Sequence, residues 1–339
     1  MNYLVIDLEM CKVPRDYRSK RYKYANETIQ IGAVLLEEEF KRIGTLSQFV
    51  HPEHGVIDYF IENLTGIKNI QVKHASLDYA PQAHAQGYKV WALITNGFDP
   101  DRTHGLLDNP AGRKNAVEGI LSLAKQYQLD GINLDFENIR AEDSDRLTEF
   151  VGEIAGPLQQ EGYTVSIDVT VPSDNSNWSR CYDRKALAGK VDYVMLMAYD
   201  EHSRLSPRAG SVASLPWVEK GIRNTLQEVP AEKLVLGMPL YMRDWKEEEG
   251  NVSAKTISME GARKLIAEKG LVPAWRSEEG QYYFEYREQG VLHRVWQEES
   301  RSLALKNALI SRYDLAGSAY WRKGLEEPDV WSTMEKWKK

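Results

Sequence analysis

Three polar side chains interrupt an apolar stretch at Asp130–Ile139 (DGINLDFENI), where Asn133, Asp135 and Glu137 alternate with Ile132, Leu134 and Phe136. Side chains alternate between the two faces of a strand, so the polar three share one face and the apolar three the other. Two positions along a strand span ~6.6 Å, close enough for two carboxylates in a dry place to interact. Burial and like charge both favour the neutral form, so one of the pair should stay protonated near neutrality, as a general acid must. Glu137, at the C-terminal end of the strand, is the expected acid. The competing interpretation is a polar strand end that makes only structural ion pairs.

The elements that must hold this strand follow a simple alternation. Helices at 76–87, 110–127, 143–160, near 183–189, 214–229 and 301–313 precede apolar runs at 88–95, 130–137, 163–171, 191–199, 233–240 and 315–321, and a last helix covers 328–337. Short apolar strands separated by amphipathic helices imply an α/β fold with a parallel sheet, and six such units in a row favour a barrel. Between Leu240 and Arg301 the pattern breaks. A helix at about 257–268 and a hairpin turning at Glu288-Gln-Gly290 predict a small α+β insertion over about 247–300. Insertions on the C-terminal side of barrel strands wall the active site.

The polar strand resembles the D-x-x-D-x-D-x-E signature of family 18 glycoside hydrolases, with Asp130, Asp135 and Glu137 matching and Asn133 standing where many members have Asp. The runs VMLMAYDEH (194–202), LGMPLYMRDW (236–245) and AGSAYW (316–321) resemble the family's sixth, seventh and eighth strands, and the likeness extends over 76–339. It is nearest to the spore cortex-lytic, peptidoglycan N-acetylglucosaminidase branch. The resemblance implies a TIM-like (β/α)8 barrel that lacks its first two βα units. It also implies substrate-assisted, retaining cleavage of β-1,4-linked N-acetylglucosamine, in which the substrate's own acetamido group attacks the anomeric carbon. On that pattern Glu137 protonates the leaving oxygen, Asp135 orients the acetamido group and Tyr199 holds its carbonyl. Asn133 replaces the acid that tunes Asp135, and Trp321 floors the sugar subsite. Asp130, Asn96, Asp200, Tyr241 and Arg243 are further candidates for binding substrate.

Residues 1–74 follow a different pattern. A strand at 3–9, an antiparallel pair at 28–37 and 42–51 and a short helix at 57–64 resemble the start of a DEDD-type 3′–5′ exonuclease, with Asp7 and Glu9 as its D-x-E. That chemistry needs further carboxylates to hold two metal ions, and no later motif supplies them. Asp7 and Glu9 have only the spacing for weak Mg²⁺ or Mn²⁺ chelation. No metal or other cofactor is therefore expected. The chain then reads as a fusion with a junction near His74–Ser76.

The 339 residues carry a net charge of −7 and two cysteines, Cys11 and Cys181. That balance does not favour a nucleic-acid or membrane partner, and two distant thiols make no disulfide framework. The basic run Lys12, Arg15, Arg18, Lys20, Arg21 and Lys23 reads as a solvated loop. The apolar start MNYLVIDLEM is a strand and not a signal peptide, so a cytoplasmic chain is expected, with spore association implied by the resemblance. The expected partner is an N-acetylglucosamine polymer, either peptidoglycan or a chitin-like chain. The alternative is a fusion that binds sugar without cleaving it, and a nuclease-related protein ranks third.

Overall fold

The computed structural model describes the backbone of Tyr3–Lys12 (β1), Asn26–Leu36 (β2) and Arg42–Phe49 (β3), together with residues 79–248 and 251–334. The chain divides into two compact units, Met1–Val90 and Trp91–Lys339. In the first, β1, β2 and β3 form an antiparallel meander, so the expected hairpin is present and the first strand adds to its edge. A helix covers Tyr79–His84. The expected helix at 57–64, the basic run beyond Lys12 and the side chains of Asp7 and Glu9 lie outside the described residues.

The second unit opens with Trp91–Thr95 (β4), Gly131–Asp135 (β5), Thr164–Thr170 (β6), Tyr193–Met197 (β7) and Leu234–Pro239 (β8). The chain then enters an inserted antiparallel sheet of Tyr241–Glu248 (β9), Asn251–Ser258 (β10), Ala274–Arg276 (β11), Gln281–Glu288 (β12) and Val291–Gln297 (β13). It returns as Gly317–Trp321 (β14), which pairs in parallel with β8. Strands β4, β5, β6, β7, β8 and β14 lie side by side and parallel. They form the half-barrel of an incomplete (β/α)8 fold. Among the described residues β4 and β14 are its edges.

The alternation in β5 is resolved as the sequence implies. Ile132 and Leu134 are fully buried on the helix side, and Phe136 packs on Phe150 of the helix Ser144–Gln160 with ring centroids 6.2 Å apart. The polar residues are left to the interior of the half-barrel. Gly131 opens the strand because a Cβ there would lie 2.5 Å from the Thr164 carbonyl oxygen, closer than the packing of β5 on β6 permits.

Two elements differ from expectation. A helix at Pro100–Leu107 precedes the expected one at Pro110–Gln126, started by the Asp99 side chain, which accepts from the N–H groups of Asp101 and Arg102. The inserted sheet begins at Tyr241, directly after β8, so Tyr241 and Arg243 belong to it. The hairpin between β12 and β13 turns through Gln289 and Gly290, both left-handed at φ 50° and 85°, the geometry that suits a two-residue connection. No described helix is long and apolar enough to cross a membrane.

Candidate active site

Parallel register stacks the interior side chains in layers. Asn133 pairs with Ser166 and Leu134 with Ile167, the last pair of the ladder, and Asp135 and Asp168 are the residues that follow on each strand. Met195 of β7 flanks Asp168 on its other side. The Asn133 Nδ2 donates to Asp168 Oδ2 at 2.9 Å, while its Oδ1 accepts from Ser166 Oγ at 2.5 Å. Asp135 Oδ1 is buried, and no described group donates a hydrogen bond to it. Desolvation pushes the Asp135 carboxyl up to about 6 and the Asp168 carboxyl well above the usual range, the latter also through the charge of Asp135.

Glu137 follows just beyond the end of β5. Burial, with smaller contributions from the charges of Asp135 and Asp200, pushes its carboxyl up to about 8. Its peptide is fixed on both sides by one amide. Asn96 Nδ2 donates to the Glu137 carbonyl at 2.7 Å, and Asn96 Oδ1 accepts from the Glu137 N–H at 3.1 Å. Asn96 Nδ2 also reaches Thr103 Oγ1 at 2.9 Å, so both ends of the amide expected to bind substrate make hydrogen bonds within the protein. Behind the strand, the buried Tyr182 hydroxyl donates to the Phe136 carbonyl at 2.7 Å.

A second cluster closes the mouth from the inserted sheet. Asp200 is left-handed at φ 60°, directly after Tyr199 and past the end of β7. Its Oδ1 accepts from Tyr241 Oη at 2.6 Å and from Arg243 Nη2 at 2.5 Å. The buried guanidinium also donates to Thr256 Oγ1 on β10 and to the His202 carbonyl. The Tyr199 and Tyr241 rings meet edge to face at 6.4 Å. Burial pushes both phenols well above their ordinary range, so each stays a hydrogen-bond donor. Trp321 ends β14 with 40% of its surface exposed, a ring available for stacking.

The structure thus gathers Asn133, Asp135, Glu137, Tyr199, Asp200, Tyr241 and Arg243 at or just below the C-terminal mouth, with Trp321 at the end of the edge strand β14. Asp130 stands apart. It precedes β5, roughly 16 Å along the strand from Asp135, at the end of the sheet away from the mouth. The sequence reading passed over Asp168, Ser166 and Tyr182. Ser166, Asp168 and Thr170 alternate with Val165, Ile167 and Val169 just as the β5 residues do, and that signal was available. Among the described residues no cluster of His, Cys, Asp or Glu is arranged to hold a metal ion.

A parallel half-barrel with paired carboxyls at its mouth fits a glycosidase, and comparison with known proteins decides the family. The sequence profile described as Glycosyl hydrolases family 18 matches residues 60–325. The chain belongs to that family. The matched region begins ahead of the junction expected at His74–Ser76. The chain is 33% identical over 234 residues to the putative sporulation-specific glycosylase YdhD of Bacillus subtilis (strain 168), covering 68% of this chain and 55% of that one. It is 32% identical over 250 residues to the cortical fragment-lytic enzyme of Bacillus anthracis, covering 71% and 57%. The family 18 chain therefore spans little more than half the length of these two relatives. The crystal structure of a chitinase from Chromobacterium violaceum ATCC 12472 superposes with a TM-score of 0.72 at 26% identity, covering 78% of this chain and 84% of that one. The exonuclease resemblance of the first 74 residues finds no support in these matches.

Proposed function

We propose that this hydrolase cleaves β-1,4-linked N-acetylglucosamine polymers, with peptidoglycan as the substrate class, by substrate-assisted retaining catalysis. The observation that carries the proposal is the buried Asp135 Oδ1, without a donor among the described residues, at the end of β5 and two residues before Glu137. Burial raises both carboxyls, Glu137 to about 8 and Asp135 to about 6, so Glu137 is the better candidate for the neutral acid. Glu137 then protonates the glycosidic oxygen, and in the second half-reaction takes a proton from water. The buried Asp135 Oδ1, which no described group supplies with a donor, accepts the N–H of the substrate's acetamido group. That contact turns the acetamido carbonyl oxygen toward the anomeric carbon, and the Tyr199 hydroxyl donates to it. Trp321 stacks on the sugar being cleaved, while Tyr241 and Arg243 act through Asp200. The likeness to a cortical fragment-lytic enzyme and a sporulation-specific glycosylase supports peptidoglycan and a spore association over chitin.

The test compares wild type with Glu137→Gln on a fluorogenic β-1,4 N-acetylglucosamine oligomer and on purified cortex peptidoglycan. Turnover of either substrate that the substitution removes supports the proposal. Binding of both substrates without turnover, in protein that is folded by circular dichroism, overturns it in favour of a sugar-binding fusion.

A further inference from the structure

We propose that the tip of the loop after β7, Ser203–Arg208, recognises carboxylates on the glycan, with Arg204 and Arg208 as the two cations that meet them. The inference rests on the function proposed above and narrows its substrate to a glycan that carries carboxylates.

The segment between β7 and the helix Leu215–Thr225 leaves the mouth at Asp200 and doubles back on itself. The Glu201 N–H donates to the Val212 carbonyl at 2.9 Å and the His202 N–H to the Ser211 carbonyl at 3.2 Å, so its two arms run as a short ribbon. The inserted sheet grips that ribbon. Trp245 Nε1 donates to the Gly210 carbonyl at 2.8 Å, Arg243 Nε to the His202 carbonyl at 3.2 Å, and Gln281 Oε1 accepts from Ser211 Oγ. A side chain in place of Gly210 would run into the His202 ring. The tip is ordered as well. The Ser206 N–H donates to the Ser203 carbonyl at 2.8 Å and its Oγ to the Arg208 carbonyl at 2.8 Å, with Pro207 between them. Arg204 stands four positions beyond Asp200, so its Cα lies within ~14 Å of that residue.

The mouth itself is acidic. Asp135, Glu137 and Asp200 gather there, and the buried Arg243 is already engaged by Asp200. An anionic chain meets repulsion at such a site unless cations stand at its rim. On the neighbouring loops the arginines are answered: Arg140 lies 2.8 Å from Asp101, and Arg180 lies 2.8 Å from Asp174. Arg204 and Arg208 are exposed, and no carboxylate among the described residues pairs with either. On an untethered loop two such arginines would be ordinary solvated charges. Here the backbone that carries them is already fixed, which lowers the ordering cost of binding. Each guanidinium can take a carboxylate through two parallel N–H bonds. Leu205, 85% exposed between them, offers an apolar contact to the CH face of a sugar. A chitin-like chain has no carboxylate to offer, whereas peptidoglycan bears them on its lactyl groups and its peptide stems.

The experiment reads binding, so it needs no turnover. Full-length Glu137→Gln is cosedimented with peptidoglycan at low and high salt, with and without Arg204→Ser and Arg208→Ser together. The expected result is binding weakened about three- to tenfold at low salt, the scale of two exposed ion pairs, with the difference closing at high salt. The difference should vanish on peptidoglycan whose carboxyls have been amidated with carbodiimide. On glycan stripped of peptides by an amidase, a retained difference assigns the lactyl carboxylate and a lost one assigns the stems. Equal binding with and without the two substitutions, equal weakening on amidated peptidoglycan, or no binding to peptidoglycan at all overturns the proposal. A wild type that turns over neither oligomer nor peptidoglycan defeats the glycosidase reading alone, and the binding differences still decide the loop.

Discussion

The side chain of Asn96 brackets the peptide group of Glu137, donating to its carbonyl at 2.7 Å and accepting from its N–H at 3.1 Å. Glu137 lies just beyond the last paired residue of β5, so no strand ladder fixes its backbone there. Asn96 supplies the missing pair from the end of the neighbouring β4. Thr103, buried on the helix Pro100–Leu107, braces the same amide from the far side.

It follows that Asn96→Ala should lower kcat by about 10- to 100-fold while KM moves little, because small misplacements of a general acid are costly in the transition state. Asn96→Asp keeps an acceptor for the Glu137 N–H but loses the donor to its carbonyl and adds a charge beside it. The basic limb of its pH profile should lie above that of the wild type. Steady-state kinetics across pH checks both, and an unchanged kcat in Asn96→Ala would show that the bracket is only structural.

On the proposed mechanism the active protonation state has Asp135 ionised and Glu137 neutral. The kcat/KM profile should therefore be a bell with limbs near 6 and 8 and a maximum at about pH 7. These same shifts act on folding. Both carboxyls titrate higher folded than unfolded, so the folded state binds protons more tightly. The stability this gives is complete below the unfolded values and is lost as pH rises through about 6 for Asp135 and about 8 for Glu137. Glu137→Gln removes the larger of the two penalties. It should be inactive yet more stable than wild type at pH 9, by up to about 5 kcal/mol, and no more stable at pH 4. Urea unfolding at the two pH values measures this, and equal differences at both would contradict it.

The polar strand β5 was legible because its polar and apolar residues alternate with a strand's period of two, and Ile132, Leu134 and Phe136 are buried as that period requires. Asp168 obeys the same rule but stands as a single acid in the run YTVSIDVTV, with no second carboxyl to draw attention to it. Asp130 was named from a motif match, and its position before β5 sets it at the end of the strand away from the mouth. Parallel βα repetition is a local pattern and survives in the sequence. The pairing of Asp200 with Arg243 joins a barrel loop to an inserted sheet 43 residues further on, and no local period records such a contact.

That pairing carries its own test. Asp200 is one of the charges that raise the Glu137 carboxyl, and Arg243 is the cation that offsets it. Arg243→Ala should leave Asp200 less compensated, shift the basic limb of kcat/KM upward and lower its maximum roughly tenfold, the scale of a charged hydrogen bond. Arg243→Lys keeps the charge but loses the fork that reaches Thr256 and His202 together, so it should hold the limb in place while still losing rate. Parallel pH profiles for the two variants would show that the charge of Asp200 does not reach Glu137.

A fully buried ion pair joins the inserted sheet to the half-barrel. Lys306 Nζ lies 2.6 Å from both oxygens of Glu298. Ser302 Oγ and Gln281 Nε2 donate to the same carboxylate, and Gln281 in turn accepts from Ser211 in the segment after β7. The chain of bonds therefore runs from the helix Ser300–Arg312 through β12 to the loop that begins at Asp200. Removing one partner strands a charge in the interior, so Lys306→Met should destabilise the fold by about 3–5 kcal/mol. Glu298→Gln added to that variant leaves no charge behind and keeps an oxygen for Ser302 or Gln281, so the double variant should recover more than half of the loss. Denaturant unfolding of the two single variants and the double variant measures the coupling. Additive losses would mean that the pair does not act as a unit, and a shifted kcat/KM profile in the double variant would mean that the network reaches the site as well as the fold.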